Sequence, residues 1–304
     1  MTTPPSAPPL HVTATTADRV DKELTRHFPA AGRKQIAELF DAGAIKVGGK
    51  RAKKGDRISP GDVIELSRTP VAGEAFRPEP DAEAGARLEV LLERPEVIVV
   101  LKPAGMPSQP LKAGERGTAA NGIAARWPEC AAIGDDARDG GLVHRLDIGT
   151  SGALIAARTP EVYRALREAF GGGLVDKVYR AITEERPVSR ECDAPLVHRG
   201  KRVVVDHTDG LAAHTAFEVE RTSATHALVR CTARTGRMHQ IRAHLAHVAS
   251  PIAGDTLYGA NAVPDHDGFY LHAASITFPL GGERVHIDVP APARFTAALA
   301  ACGL

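Results

Sequence analysis

Gly141-Leu-Val-His-Arg-Leu-Asp-Ile-Gly-Thr-Ser-Gly-Ala-Leu-Ile-Ala-Ala157 sets a single carboxylate, Asp147, between two apolar runs and among glycines. Leu142-Val143 before it and Ala153-Leu154-Ile155-Ala156 after it read as strands entering and leaving a loop, while Gly149 and Gly152 permit turns closed to residues bearing a Cβ. Asp147 is therefore expected at a strand end. Loops mounted on a rigid sheet commonly hold acid/base and nucleophilic groups. A plainer reading is also open: Asp147 pairs with Arg145, or Asp147, Thr150 and Ser151 close turns through their side chains. A kinase catalytic loop has a His-Arg-Asp core too, but Leu146 intervenes here and no glycine-rich loop followed by a strand Lys lies upstream, which excludes that reading.

Outward from this stretch, 304 residues suit one large domain plus a small one. Hydrophobic content of 43%, charged content of 25% and no apolar run near the ~20 residues needed to span a bilayer argue against a membrane protein. Met1-Thr-Thr-Pro-Pro-Ser lacks the basic head and apolar core of a signal peptide, so a cytoplasmic location is expected. Cys130, Cys192, Cys231 and Cys302 show no C-x-x-C spacing and read as packing residues. His239, His244 and His247 fall on one expected helix at offsets that make a poor ligand face, so no metal is expected.

The net charge of +1 hides an asymmetry. Asp18 to Arg68 carries 12 Lys/Arg against 8 Asp/Glu, whereas Thr69 to Ala86 carries 1 Arg against 4 acids. A basic head joined by an acidic connector to a neutral body suggests that the head meets a polyanion, with a merely solvated basic face as the alternative. Residues 1–17, rich in Pro and Thr, read as a flexible segment. Val20, Leu24 and Phe28 mark one helix ending at Pro29; Ile36, Leu39 and Phe40 mark a second that Gly43 stops. Short strands follow at 44–47, 50–54 and 63–66, and Pro70, Pro78 and Pro80 make 69–86 read as a linker. Beyond it come strands at 88–92 and 97–101, a helix started by Thr159-Pro160-Glu161, a strand at 176–182, a strand at 227–232 and a helix beginning near Thr235.

Residues 18–68, with their helix pair, Ile45-Lys-Val-Gly-Gly and Gly61-Asp-Val-Ile, resemble the alpha-L RNA-binding module found in a small-subunit ribosomal protein. The resemblance implies phosphate contacts from the second helix and the loop after it, with Arg33, Lys34, Lys46, Arg51, Lys53 and Lys54 as candidates. His144, Arg145, Leu146, Asp147, Thr150, Ser151 and Gly152 match all seven positions of the catalytic motif of the RluA-type pseudouridine synthases. Lys177-Val-Tyr179 resembles that family's Lys-x-Tyr motif, and Thr235-Gly-Arg-Met-His-Gln-Ile-Arg-Ala-His-Leu-Ala246 its third motif, although Met238 replaces a hydroxyl residue. Lys102-Pro-Ala-Gly105 also matches, but Ser108-Gln109-Pro110 replaces a continuation that usually holds a His, and no chemistry is assigned to that loop. Pro251–Gly259 and Leu271-His-Ala273 continue the likeness and read as scaffold.

The resemblance implies an α+β fold for 87–304, with a mixed, largely antiparallel sheet and flanking helices. It implies that specific uridines in structured RNA are isomerised to pseudouridine without a cofactor. Asp147 is the implied catalytic carboxylate, Tyr179 the ring beside it, and Arg242 the cation that pairs with Asp147 and keeps it ionised. His144, Arg145 and Arg237 are the implied RNA contacts of this domain. Ribosomal RNA of the large subunit is favoured over transfer RNA because of the head module, and a monomer is expected. The competing reading is a non-catalytic RNA-binding or ribosome-assembly factor.

Overall fold

The computed structural model describes residues 9–28, 31, 33–69, 76–263 and 268–304, without the side chains of Arg33 and Lys34. The chain divides into two compact units, Met1–Ala75 and Phe76–Leu304.

In the first unit, helices Val20–His27 and Arg33–Asp41 cover a small sheet ordered Leu10–Thr13, Val63–Leu66, Ile45–Val47, Lys50–Arg51. Val20, Leu24, Ile36, Ile45, Ile64 and Leu66 form its core. Gly43 ends the second helix in the left-handed region at φ +66°, which costs a Cβ-free residue least. The expectation of a flexible segment over 1–17 is corrected from Leu10 onward: Leu10–Thr13 adds an antiparallel edge strand and buries Val12. Residues 1–8 lie outside the described residues. The buried Glu23 carboxylate accepts from Thr15 N–H (2.6 Å), Thr15 Oγ1 (2.8 Å) and Thr16 Oγ1 (3.2 Å), and pairs with Arg26. Burial opposes its charge, but these partners prevail and hold the carboxyl at about 2.

The larger unit is built on a nine-stranded sheet. Its order is Glu191–Cys192, Thr215–Thr222, His226–Ala233, Asp176–Glu184, Leu271–Leu280, Ser151–Ala157, Val97–Lys102, Glu89–Glu93, with Glu283–Asp288 also on Leu271–Leu280. All pairings are antiparallel except Leu271–Leu280 with Ser151–Ala157, in register His272 to Ser151 and Ala273 to Gly152. Ser151–Ala157 is buried along its whole length, as a strand covered on both faces must be. Gly152 sits at φ +130° where a Cβ would lie 2.4 Å from the Ala273 oxygen, so only glycine lets these two strands meet.

Helix Pro160–Gly171 begins as its sequence promises, with Thr159 accepting from Val162 N–H. The elements not expected from sequence include helix Ala119–Arg126 with its Thr118/Asn121 capping box, hairpin Leu196–Arg199 with Arg202–Val205, strands Thr215–Thr222 and Glu283–Asp288, and helix Ala293–Ala301. The expected linker is shorter than 69–86. Asp81 caps helix Ala82–Ala86, accepting from Ala84 and Gly117 N–H, and Ala84 and Gly85 press so close on Gly122 that a Cβ there would lie 2.7 Å from Gly85 N. Residues 76–86 therefore belong to the larger unit, while 70–75 lie outside the described residues.

Candidate active site

Asp147 occupies the loop leading into strand Ser151–Ala157, its side chain 23% exposed. Leu142-Val143 contributes only an isolated bridge to Ala156 rather than a full strand. Beneath the loop, Lys102 is fully buried and donates to Met106 O (2.7 Å), Pro103 O (3.0 Å) and Ile148 O (3.3 Å). Ser108 Oγ accepts from Leu146 N–H and donates to Leu146 O. Lys102 through Ile148 O and Ser108 through Leu146, in a loop to which the sequence assigned no chemistry, thus clamp the residues on both sides of Asp147. Burial draws the Lys102 ammonium down to about 7 while the charge of Asp147 pulls it upward.

Arg242 Nη1 donates to Asp147 Oδ2 at 3.1 Å. Its Nε and Nη2 donate in a fork to Asp255 at 2.7 and 2.9 Å, and its guanidinium lies 4.9 Å from the Tyr258 ring and 4.2 Å from the Phe269 ring. Burial alone would favour a neutral group, yet the two carboxylates keep Arg242 charged and raise its pKa. The planar fork and two ring faces leave one direction free, toward Asp147. Asp255 and Tyr258, assigned to the scaffold from sequence, are what orient Arg242.

His239, weighed from sequence only as a metal ligand, is a second neighbour of Asp147. Its Nε2 lies 3.9 Å from Asp147 Oδ2 and its Nδ1 lies 3.0 Å from the Tyr258 hydroxyl, which accepts from Val203 N–H. The expected helix start at Thr235 is corrected to Gln240–His247, with His239 just before it in the left-handed region at φ +52°. The Gln240 side chain accepts from Thr235 Oγ1 and Arg237 N–H, which gives that turn's amide an internal partner. Arg237 is exposed and donates through Nε to Ala212 O.

Tyr179 lies on strand Asp176–Glu184 at a register shift between Val178 and Tyr179, an irregularity of the kind that re-aims a side chain. It is half-buried, and burial together with the nearby Asp147 charge raises its phenol pKa, so the hydroxyl stays protonated. Lys177, on the same strand, donates to Thr235 O. The structure thus pairs Asp147 with Arg242 and sets Tyr179 where the charge of Asp147 reaches it.

The RNA-contact candidates separate. Arg145 is exposed beside Asp147. His144 is instead part of the scaffold: its ring stacks on Phe170 with centroids 4.8 Å apart, and Nε2 accepts from Ile155 N–H. Burial, then Lys177 and Arg167, push its pKa down to about 3, so it brings no positive charge to a phosphate. Arg51 donates to Phe40 O and Asp41 O at the end of a helix. Lys53 and Lys54 are exposed, Lys46 is exposed near Glu65, and the side chains of Arg33 and Lys34 lie outside the described residues. The hairpin missed from sequence carries exposed Lys201 and Arg202 near its tip, while its buried Leu196 and Val203 cluster with Ala213 and Ala243. Among the described residues no cluster of His, Cys, Asp or Glu is placed to hold a metal ion.

The profile described as RNA pseudouridylate synthase matches residues 96–247, and the S4 domain profile matches residues 18–64. An uncharacterized RNA pseudouridine synthase of Chloroflexus aurantiacus is 34% identical over 284 residues, covering 91% of this chain and 88% of that protein. Ribosomal large subunit pseudouridine synthase D of Xanthomonas campestris is 31% identical over 292 residues, covering 90% and 86%. The fold is shared with the human RNA pseudouridylate synthase domain containing 4, at a TM-score of 0.58 and 22% identity over 72% of this chain and 94% of that one. The chain belongs to the RluA-type RNA pseudouridine synthase family, with an S4 domain in front of its synthase domain.

Proposed function

We propose that this enzyme isomerises specific uridines in structured large-subunit ribosomal RNA, with Asp147 as its catalytic carboxylate. The observation that carries the reading is a carboxylate of which one oxygen meets a buried, doubly braced guanidinium while the side chain stays open to solvent. The relative named for the large ribosomal subunit supports the substrate class, as does the basic S4 domain, whose exposed Lys46, Lys53 and Lys54 suit phosphate contacts.

The reaction breaks the bond from ribose C1′ to uracil N1, turns the base and joins C1′ to C5. The hydrogen on C5 leaves, and N1 gains one, so no redox partner is needed. Asp147 serves either by attack on C1′ or by removal of a sugar proton, and Arg242 holds and aims it for both. The uridine must first leave its stack, which costs a few kcal/mol and least in a loop or bulge. Tyr179 offers the extruded base a ring and a protonated hydroxyl. Arg145, Arg237, Lys201 and Arg202 supply phosphate contacts around the site.

The test is tritium release from RNA labelled at uracil C5. Wild-type protein releases tritium; Asp147→Asn releases none while binding the RNA within about threefold. Release by that variant at the wild-type rate refutes the assignment.

A further inference from the structure

Beside the Phe269 ring, which the Arg242 guanidinium also faces, lies a cavity of about 170 Å³, to which the function proposed above assigns nothing. Pro103, Gly149, Phe269, Tyr270, Arg294 and Phe295 contribute to its walls, and Asp147, Tyr179 and Arg242 do not. An apolar cavity of ~150 Å³ holds one benzene-sized ring, so this space suits one planar heterocycle and is too small for a folded peptide element. The charged wall residue among those described is Arg294, which lies over the Tyr270 ring at 5.4 Å and donates to Phe269 O at 3.5 Å. Aromatic and guanidinium planes in a wall whose described residues include no acid form a surface on which unstacked bases of a polyanionic strand settle.

We propose that this cavity receives a nucleobase adjoining the target uridine in the same RNA strand. The inference rests on the RNA-isomerase reading above. Two connections to the candidate active site single out this occupant. Gly149 is two residues from Asp147 and also lines the cavity, with its missing Cβ only 2.8 Å from the Phe269 ring. The same Phe269 ring lies 4.2 Å from the guanidinium that holds Asp147. A strand that delivers one extruded uridine to Asp147 leaves its neighbour without a stacking partner, and this apolar ring surface adjoins the site. A base held there fixes the strand's register without entering the chemistry.

The experiment fills the cavity from Ala104, a half-buried wall residue whose φ is not positive and which therefore accepts a larger side chain without backbone strain. RNA labelled with tritium at uracil C5 and bearing 4-thiouridine is prepared from cells lacking the protein. The proposal expects Ala104→Phe to lower kcat/KM about tenfold, in line with the loss of one base stack, with kcat within about twofold. Arg294→Gln shifts KM in the same direction with kcat kept. Irradiation should crosslink wild-type protein to the RNA within residues 268–273, and Ala104→Phe should lose that crosslink. Unchanged kcat/KM in an Ala104→Phe protein of wild-type melting temperature overturns the proposal, as does a fall confined to kcat. Absence of tritium release by the wild type would instead sink the isomerase reading, and the crosslink still decides whether a base occupies the cavity.

Discussion

Arg242 shows how much of a site can depend on one side chain's surroundings. Its fork to Asp255 and its two ring neighbours leave Nη1 aimed at Asp147. A lysine keeps the charge but cannot make both bonds to Asp255 and still reach Asp147, so Arg242→Lys should lower single-turnover tritium release by about 100-fold. Asp255→Asn, which leaves Arg242 charged but loosely aimed, should lower the rate by about 10-fold with RNA affinity kept within about twofold. Equal losses of rate and affinity would show that Asp255 serves RNA binding instead. Lys102 gives a pH-dependent case. Its folded-state pKa of about 7 lies below the ordinary lysine value, so the ammonium with three protons for three carbonyls exists below about pH 7 and is lost above it. As pH rises through this range, one of the three carbonyls loses its bond from Lys102, the clamp on the Asp147 loop loosens and the single-turnover rate should fall. Stability should move the other way: because the unfolded chain holds the extra proton from about pH 7 to 10, the free energy of unfolding rises with pH across that window. Rate and melting profiles from pH 6 to 10 check both trends, and Lys102→Met should flatten each of them.

At the scale of elements, polar networks decide where segments dock. The edge strand Leu10–Thr13 leads into Thr15 and Thr16, whose bonds to the Glu23 carboxylate tie it to the first helix. Because the folded pKa of Glu23 is depressed to about 2, its contribution is complete above the ordinary value of about 4.5 and fades as pH falls from there toward 2. Amide hydrogen exchange over residues 10–66 of the full chain should therefore accelerate across that window. Glu23→Gln should cost the S4 unit on the order of 1–3 kcal/mol at neutral pH and weaken this acid dependence. Exchange that ignores both pH and substitution would remove Glu23 from its proposed structural role. In the larger unit, the Gln240 side chain performs a similar task, joining Thr235, Arg237, His214 and Thr215 so that the following helix presents Arg242 inward.

Across the whole molecule, charge and chemistry are divided between two units, the first carrying exposed lysines and the second the braced carboxylate. Removing residues 1–75 should weaken RNA binding while single-turnover release at saturating RNA persists. It should also flatten the log–log plot of affinity against salt, by ~0.7 in slope for each phosphate that the S4 unit neutralises. An unchanged slope would mean that the S4 unit binds without phosphate contacts. Short-range signals were enough to read both units: helical spacing of Leu24, Ile36 and Leu39, the Thr159 cap, the apolar run before Lys102, and the glycines around Asp147. The family resemblance led to Asp147, Tyr179 and Arg242 because the motifs that carry it are contiguous. Residues 10–16 and 76–86 were misread since Pro and Thr content says nothing of a partner strand or helix elsewhere. His144 shares a motif with Asp147 but faces Phe170, since neighbours in sequence point to different sides of a loop. Asp255, His239 and Lys102 were given no part at Asp147 from sequence, and only packing brings them to a loop whose centre is Asp147. The chain's own letters therefore determined the family, most of the elements and the carboxylate proposed to react, each written in a few adjacent residues. Tertiary structure decided how that carboxylate is braced and which cations remain exposed, because burial and hydrogen-bond partners arise between residues far apart in the chain.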